Sequence, residues 1–149
     1  MLTFTAAFTV KAPIEAVAEF HGDTRALKKL SPPPMVVQLH RVDPMAEGSV
    51  SEFTLWLGPI PIHWQAVHSQ VSPSGFTDTQ EKGPLAFWRH THHFQTLPDG
   101  VTKIEDRVEY QHYAGIKGLF SRLLFSKTGL TGLFTYRKWA TQRALKEKT

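Results

Sequence analysis

The feature that most constrains the fold is a series of short segments with alternating apolar residues, closely spaced between residues 35 and 112. Breaks containing glycine, proline or serine separate the segments, which are 35–42, 49–57, 60–71, 75–82, 86–97 and 101–112. Connections this short join neighbouring strands as antiparallel hairpins, because a parallel pair needs a crossover of about a dozen residues. The sequence therefore predicts an antiparallel meander.

The segment before this meander predicts one further strand and two short helices. Residues 2–10 alternate apolar and polar side chains, as a strand with one buried face does. Pro13 suits the first turn of a helix, and Asp23 can cap a second helix. The second helix must end at 31–34, where the sequence SPPP prevents its continuation.

The segment after the meander predicts one long helix. Beyond Gly118 the apolar residues fall at helical spacing, with a possible break at Gly129 or Gly132. The order is strand, two short helices, six strands and a long helix. We expect an α+β fold over residues 1–149 as a single domain, in which a curved antiparallel sheet of about seven strands wraps around the terminal helix. A gap between helix and sheet can remain as a pocket.

Composition limits the functional classes. The chain is 41% hydrophobic and 20% charged, and it has no apolar run near the roughly 20 residues of a membrane-spanning helix. It has no cysteine and no sign of a secretory signal, so we expect a cytoplasmic protein without disulfides. The net charge of +4 comes from the carboxy-terminal end, which we interpret as a solvated helix face. We therefore expect neither a nucleic-acid partner nor stable membrane insertion.

Several spaced motifs resemble one family. They are APIEAVAEF at 12–20, GFTDTQEKGPLAFWRHTHHF at 75–94, TKIEDRVEY at 102–110 and LFTYR at 133–137. In this order they resemble the START/SRPBCC superfamily, which includes lipid-transfer domains, the birch pollen allergen group, and polyketide cyclases and aromatases. They are similar to a bacterial subgroup of cyclase/dehydrase-like proteins that is also found joined to sugar-epimerase-like domains. The resemblance implies the helix-grip fold and a hydrophobic ligand, and it carries no catalytic set.

Strand periodicity sorts the candidate site residues by face. The inward faces mix aromatic with polar side chains, and the terminal helix adds apolar residues from above. The expected ligand-binding residues are Trp64, Phe76, Asp78, Gln80, Trp88, His90, His92, Phe94, Asp106, Val108, Tyr110, Leu130 and Phe134. Within this set we expect Trp64, Trp88, Phe94, Tyr110 and Phe134 to line one common space.

An inward Asp106 near His90 or His92 implies a hydrogen-bonded polar group, because burying a lone carboxylate is costly. That group can fix the strand register, orient a ligand, or transfer protons as an Asp-supported histidine does. The same three residues are donor types of a metal set, but no wider motif accompanies them and we expect no metal. The sequence has no phosphate loop, dinucleotide fingerprint or nucleophilic serine elbow, so we also expect no cofactor.

The favoured function is a carrier or sensor that binds a small hydrophobic ligand, such as a lipid, a polyketide or an isoprenoid-like molecule, in an internal cavity. The first alternative is a cyclase- or dehydrase-type lyase or isomerase that uses His90, His92 and Asp106 for proton transfer. The second is a non-catalytic protein-interaction module with a protein partner of open identity.

Overall fold

The structure is a computed structural model that describes residues 1–148 and the side chains of residues 1–146. Thr149, the last residue of the expected domain, lies outside the described residues. Seven strands are present in the described part of the chain, each within two residues of its predicted bounds. They are β1 (Leu2–Val10), β2 (Met35–Val42), β3 (Val50–Leu57), β4 (Ile60–Ser72), β5 (Gly75–Lys82), β6 (Phe87–Leu97) and β7 (Val101–Gln111).

The seven strands form one antiparallel sheet in the order β1-β7-β6-β5-β4-β3-β2. Strands β2 to β7 are a meander, as the short connections predict, and β1 pairs with β7 at the far edge. The register places His90 opposite both Asp78 and Val108. It also places His92 opposite Asp106. Polar residues from three neighbouring strands therefore meet at the centre of one face.

Two short helical segments carry the chain from β1 to the opposite edge of the sheet, as expected. The first is α1 (Ile14–His21). The second begins with a 3-10 turn at Thr24–Ala26, where the Asp23 side chain accepts a hydrogen bond from the Arg25 N–H, and continues as α2 (Leu27–Leu30). The prolines that follow end α2.

The carboxy-terminal helix is interrupted, but not at the predicted glycines. A 3-10 turn (Gly115–Gly118) leads into α3 (Leu119–Leu124), and α4 (Lys127–Lys148) follows after two residues. The prediction of a break at Gly129 or Gly132 is wrong, since both lie inside α4. The break comes earlier because Ser126 accepts a hydrogen bond from the Gly129 N–H at 3.0 Å, as an N-cap does.

Gly129 does not break the helix, as its residue type had indicated, but has a steric role. A Cβ at this position would overlap the backbone carbonyl oxygen of Leu124 at the end of α3. A Cβ at Gly132 would meet open space. Glycine at 129 therefore allows the close approach of α3 and α4, whereas glycine at 132 has no steric requirement.

The buried apolar residues form two clusters, one at each end of the sheet face. The first cluster contains Val37, Phe53, Leu55, Ile62, Trp64, Ala66, Leu85, Trp88, Val108, Tyr110, Phe125, Leu130 and Phe134. The second cluster contains Val10, Ala12, Val17, Phe20, Ala26, Leu30, Phe76, Phe94, Ile104, Ala140, Ala144 and Leu145. No helix within residues 1–148 is both long and apolar enough to cross a membrane.

Candidate functional site

A cavity of about 140 Å³ lies between the sheet, α4 and the segment from α1 to α2. Its wall is mainly apolar, with a polar patch where the two core clusters meet. Eight of the expected ligand-binding residues contribute to the wall, and they are Trp64, Phe76, Asp78, Trp88, His90, His92, Asp106 and Phe134.

The remaining expected residues do not line the cavity. The side-chain amide of Gln80 is hydrogen-bonded to the backbone of Leu85: its Nε2 donates to the Leu85 carbonyl oxygen at 2.8 Å, and its Oε1 accepts from the Leu85 N–H at 3.2 Å. Val108 and Leu130 are fully buried in the first cluster. Both pack as core residues. On the same elements, Asp106 of β7 and Leu133 of α4 line the cavity instead.

Of the five aromatic residues expected to share one space, Trp64, Trp88 and Phe134 line the cavity, and Phe94 and Tyr110 do not. Phe94 belongs to the second cluster and Tyr110 to the first. Periodicity gives the face of a residue but not its position along that face.

Four polar side chains on the sheet side of the cavity form a paired network, which we call the His-Asp network: Asp78, His90, His92 and Asp106. His90 Nε2 lies 2.8 Å from Asp106 Oδ1, and His92 Nε2 lies 2.8 Å from Asp78 Oδ2. The two imidazole rings are 3.8 Å apart between centroids. His92 Nδ1 lies 3.4 Å from Asp106 Oδ1, within ion-pair distance, but this buried atom has no hydrogen-bond partner among the described residues.

The two histidines of the network differ in charge. Burial by itself lowers the pKa of His92, but Asp106 and Asp78 outweigh it and raise that pKa to about 9. Burial and the adjacent His92 lower the pKa of His90, so its imidazole is neutral at neutral pH. Burial disfavours the ionised form of both aspartates, yet the histidines hold the pKa of each carboxyl below its ordinary value. The network therefore contains two carboxylates and one imidazolium.

Three further polar side chains line the cavity from α1 and α4, and none was in the expected set. They are His21, the last residue of α1, and Arg137 and Thr141 on α4. Within the described part of the chain, the buried atoms His21 Nε2, Arg137 Nε and Thr141 Oγ1 have no hydrogen-bond partner. Burial, followed by the charge of His92, lowers the pKa of His21 to about 3. Burial also lowers the pKa of Arg137.

Helical spacing contains the signal that would have found His21 and Arg137. His21 follows the buried Val17 by four positions, and Arg137 follows Phe134 by three. Each therefore shares the inward face of its helix. Phe125 was also missed, and its ring lies 6.0 Å from Trp64 and 5.6 Å from Trp88 across the cavity wall. It lies in the interruption between α3 and α4, where the continuous helix that we predicted would not have placed it.

One group of metal-donor residues is present among the described side chains, and it differs from the set considered in the sequence. Asp78, His90 and His92 offer donor atoms within 4.8 Å of one another. Both Nε2 atoms are already bonded to carboxylates, and the raised pKa of His92 keeps that ring protonated at neutral pH. An imidazolium has no free lone pair for a metal. The donor set therefore fits a proton-sharing network better than a metal centre.

No protein-family model matches the chain, and no curated protein matches it. Solved structures do match the chain. The Zhui aromatase/cyclase from Streptomyces sp. R1128 superposes with a TM-score of 0.76 at 16% identity, over 99% of this chain and 94% of that one. A START superfamily protein from Mycobacterium smegmatis superposes with a TM-score of 0.74 at 10% identity, over 99% of both chains.

A third similarity has a higher sequence identity and concerns a longer protein. The nucleoside-diphosphate sugar epimerase from Corynebacterium glutamicum superposes with a TM-score of 0.70 at 27% identity. The match covers 96% of this chain but only 29% of that protein. Together the three structures confirm the fold that the sequence motifs indicated.

Proposed function

We propose, from the premise that the chain has a START/SRPBCC fold of the polyketide cyclase type, that it binds a small hydrophobic ligand as a carrier or sensor. The observation that carries the proposal is the mainly apolar cavity between α4 and the sheet. A preformed apolar pocket with a few convergent polar groups is the usual form of a small-molecule site. The His-Asp network supplies those polar groups on one wall.

The cavity volume narrows the ligand class. A dry cavity of about 150 Å³ in another protein binds benzene. The volume here is about 140 Å³, so it accommodates roughly one ring. We therefore favour the ring of a polyketide- or isoprenoid-like compound over the extended chain of a lipid.

Extraction of the natively purified protein, followed by mass spectrometry, tests the proposal directly. We expect a co-purifying hydrophobic compound, or in its absence saturable binding of toluene measured by calorimetry. The variant Leu133→Trp adds volume at a partly buried residue that lines the cavity. It should weaken toluene binding at least tenfold, because the added indole occupies the space.

The matched control is Thr135→Trp, an exposed position on the same helix that should leave toluene binding unchanged. Thermal unfolding checks that both variants fold. Full toluene affinity in a folded Leu133→Trp protein, or no binding of any apolar compound to the unmodified protein, would contradict the proposed function.

A specific observation also favours the enzymatic alternative. The neutral His90 is held by the ionised Asp106 at 2.8 Å and lines the cavity, which is the arrangement of an oriented general base. The ring of Phe134 lies 5.3 Å from the His90 ring and covers it from α4. Proton abstraction next to a ligand carbonyl is the reaction that this geometry supports.

Deuterium exchange into the methyl group of acetophenone, followed by NMR in deuterated buffer, tests this alternative. The compound has one ring and an enolisable carbonyl, so it suits both the cavity and the base. We expect exchange faster than in buffer with the unmodified protein, and exchange at the buffer rate with His90→Gln. The control is His93→Gln, an exposed histidine on the same strand. No acceleration by the unmodified protein would leave binding as the only proposed role.

A further inference from the structure

On the helix side of the cavity, His21, Arg137 and Thr141 each have a buried polar atom without a hydrogen-bond partner among the described residues. The guanidinium Nε–H of Arg137 can only donate a hydrogen bond, and its atom is buried without an acceptor among the described residues. The guanidinium carbon lies 5.4 Å from the centre of the Phe134 ring, so the group is held over an aromatic face. No carboxylate among those residues forms an ion pair with it.

His21 is a second and independent case of an unpartnered polar group at the same cavity. Its Nε2 atom is buried and unpartnered, and its residue lines the same cavity. The ring is held between Phe20, at 5.3 Å, and Phe94, at 5.6 Å, so its orientation is constrained. Leaving a buried polar group unpaired costs about 1 to 3 kcal/mol, so two such groups beside one space are unusual unless a ligand completes them.

The charged groups around the cavity indicate which kind of ligand can form hydrogen bonds with Arg137 and His21. The carboxylates of Asp78 and Asp106 are engaged by His92 and His90. Within the described residues the guanidinium of Arg137 forms no hydrogen bond or ion pair with a carboxylate; burial lowers its pKa, while the more distant Asp106 and Asp78 raise it. A planar guanidinium binds a carboxylate through charge-assisted hydrogen bonds, which are about twice as strong as neutral ones. The neutral imidazole of His21 can donate one more.

We propose that the ligand is a one-ring or similarly compact apolar acid, whose carboxylate is bound by Arg137 and His21 while its apolar part fills the cavity. This inference rests on the proposed function and names the chemical class of its ligand. The volume of about 140 Å³ limits the apolar part to roughly the size of a benzene ring. The carboxylate lies on the helix side, and the His-Asp network faces the opposite side of the ligand.

Calorimetric titration of the full chain with benzoate, benzamide and toluene tests this assignment. Benzoate and benzamide have nearly the same shape, and only benzoate carries a charge. We expect benzoate to bind at least tenfold more tightly than benzamide, since a hydrogen bond to a charged group contributes about 1.5 to 3 kcal/mol and 1.4 kcal/mol is a tenfold change. Toluene reports on the apolar cavity alone.

Substitutions at Arg137 should remove the preference. In Arg137→Gln we expect benzoate to weaken at least tenfold and benzamide to change less than about threefold. Arg137→Met, which retains the length of the side chain without its charge, should give the same loss. The matched control is Arg143→Gln, an exposed position on the same helix, which should keep the full preference. His21→Phe should weaken benzoate by about threefold or more while toluene binding is kept.

Thermal unfolding establishes that each variant folds before its affinities are compared. Equal affinity of the unmodified protein for benzoate and benzamide, or a preference that persists in both folded Arg137 variants, overturns the carboxylate assignment. If toluene binds in that case, the proposed function stands without it. If none of the three compounds binds to the folded unmodified protein, both proposals fail.

Discussion

The two sides of the cavity satisfy their buried polar groups in different ways. On the sheet side, Asp78, His90, His92 and Asp106 come from neighbouring strands and pair with one another at 2.8 Å. On the helix side, His21 and Arg137 come from helices that are distant in sequence, and their buried nitrogen atoms have no partner among the described residues. An aromatic ring contacts each side: Phe94 lies 5.6 Å from His21, and Phe134 lies 5.3 Å from His90.

This difference distinguishes side chains that stabilise the fold from side chains that bind a ligand. A paired buried network holds neighbouring strands in register, and removing one member leaves an uncompensated charge. A buried donor without an acceptor carries a desolvation cost in the free protein that a bound ligand can offset, so its presence points to binding. We therefore expect substitutions on the sheet side to lower stability, and substitutions on the helix side to change ligand affinity with little or no loss of stability.

The largest expected effect is that of Asp106→Asn. Losing this carboxylate removes the charged partner of His90 and one of the two that stabilise the His92 cation. Breaking a buried pair by removing one member typically costs about 3 to 5 kcal/mol. We expect a decrease of this order in the free energy of unfolding, measured with urea. Glu105→Gln on the outer face of the same strand should change it by less than about 0.5 kcal/mol. Similar effects of the two substitutions would show that the network does not stabilise the sheet.

The next effect is a pH dependence that His92 should impose. Its pKa is about 9 in the folded protein against 6.5 for an ordinary histidine, so the folded state binds a proton more tightly. The resulting stabilisation is complete below about pH 6.5 and is lost as the pH rises through about 9. The shift corresponds to about 3 kcal/mol. Urea unfolding between pH 6.5 and 9.5 should show this decrease.

The variant His92→Gln should flatten that decrease, whereas His93→Gln, exposed on the same strand, should keep it. On the acid side the direction reverses. The lowered pKa values of His21 and His90 mean that the unfolded chain binds protons more readily, so stability also falls as the pH drops below about 6.5. A stability that keeps rising from pH 6.5 to 9 would contradict the charge that we assign to His92.

The smallest effect on the free energy of unfolding is expected on the helix side of the cavity. Its sign is opposite to that expected for Asp106→Asn on the sheet side. Arg137→Met removes a half-buried cation, whose buried Nε has no hydrogen-bond partner among the described residues, and keeps an apolar stem against Phe134. We expect the free energy of unfolding without ligand to stay constant or to rise, by up to about 2 kcal/mol. A loss greater than about 1 kcal/mol would show that Arg137 contributes to the stability of the fold. Polar side chains on both sides of the cavity would then stabilise the fold.

The sequence by itself determined the strands, their antiparallel order and the inward face of each, because a strand has a period of two and its turns are local. Trp88, His90 and His92 are buried and Arg89 and His93 are exposed, as that period predicts. Local chemistry also contained the helix break at Ser126, because serine is a favoured N-cap residue and its side chain accepts a hydrogen bond from the Gly129 N–H.

Tertiary structure alone decided which inward residues meet the cavity. Phe94 and Tyr110 have the same periodicity as Trp88, yet only Trp88 lines the cavity, while Phe94 packs in the second core cluster and Tyr110 in the first. The placement of α1 and α4 also brings His21 and Arg137 to one space from positions more than a hundred residues apart. Periodicity is local and fixes a direction, whereas a cavity is the volume left between elements whose placement depends on long-range packing.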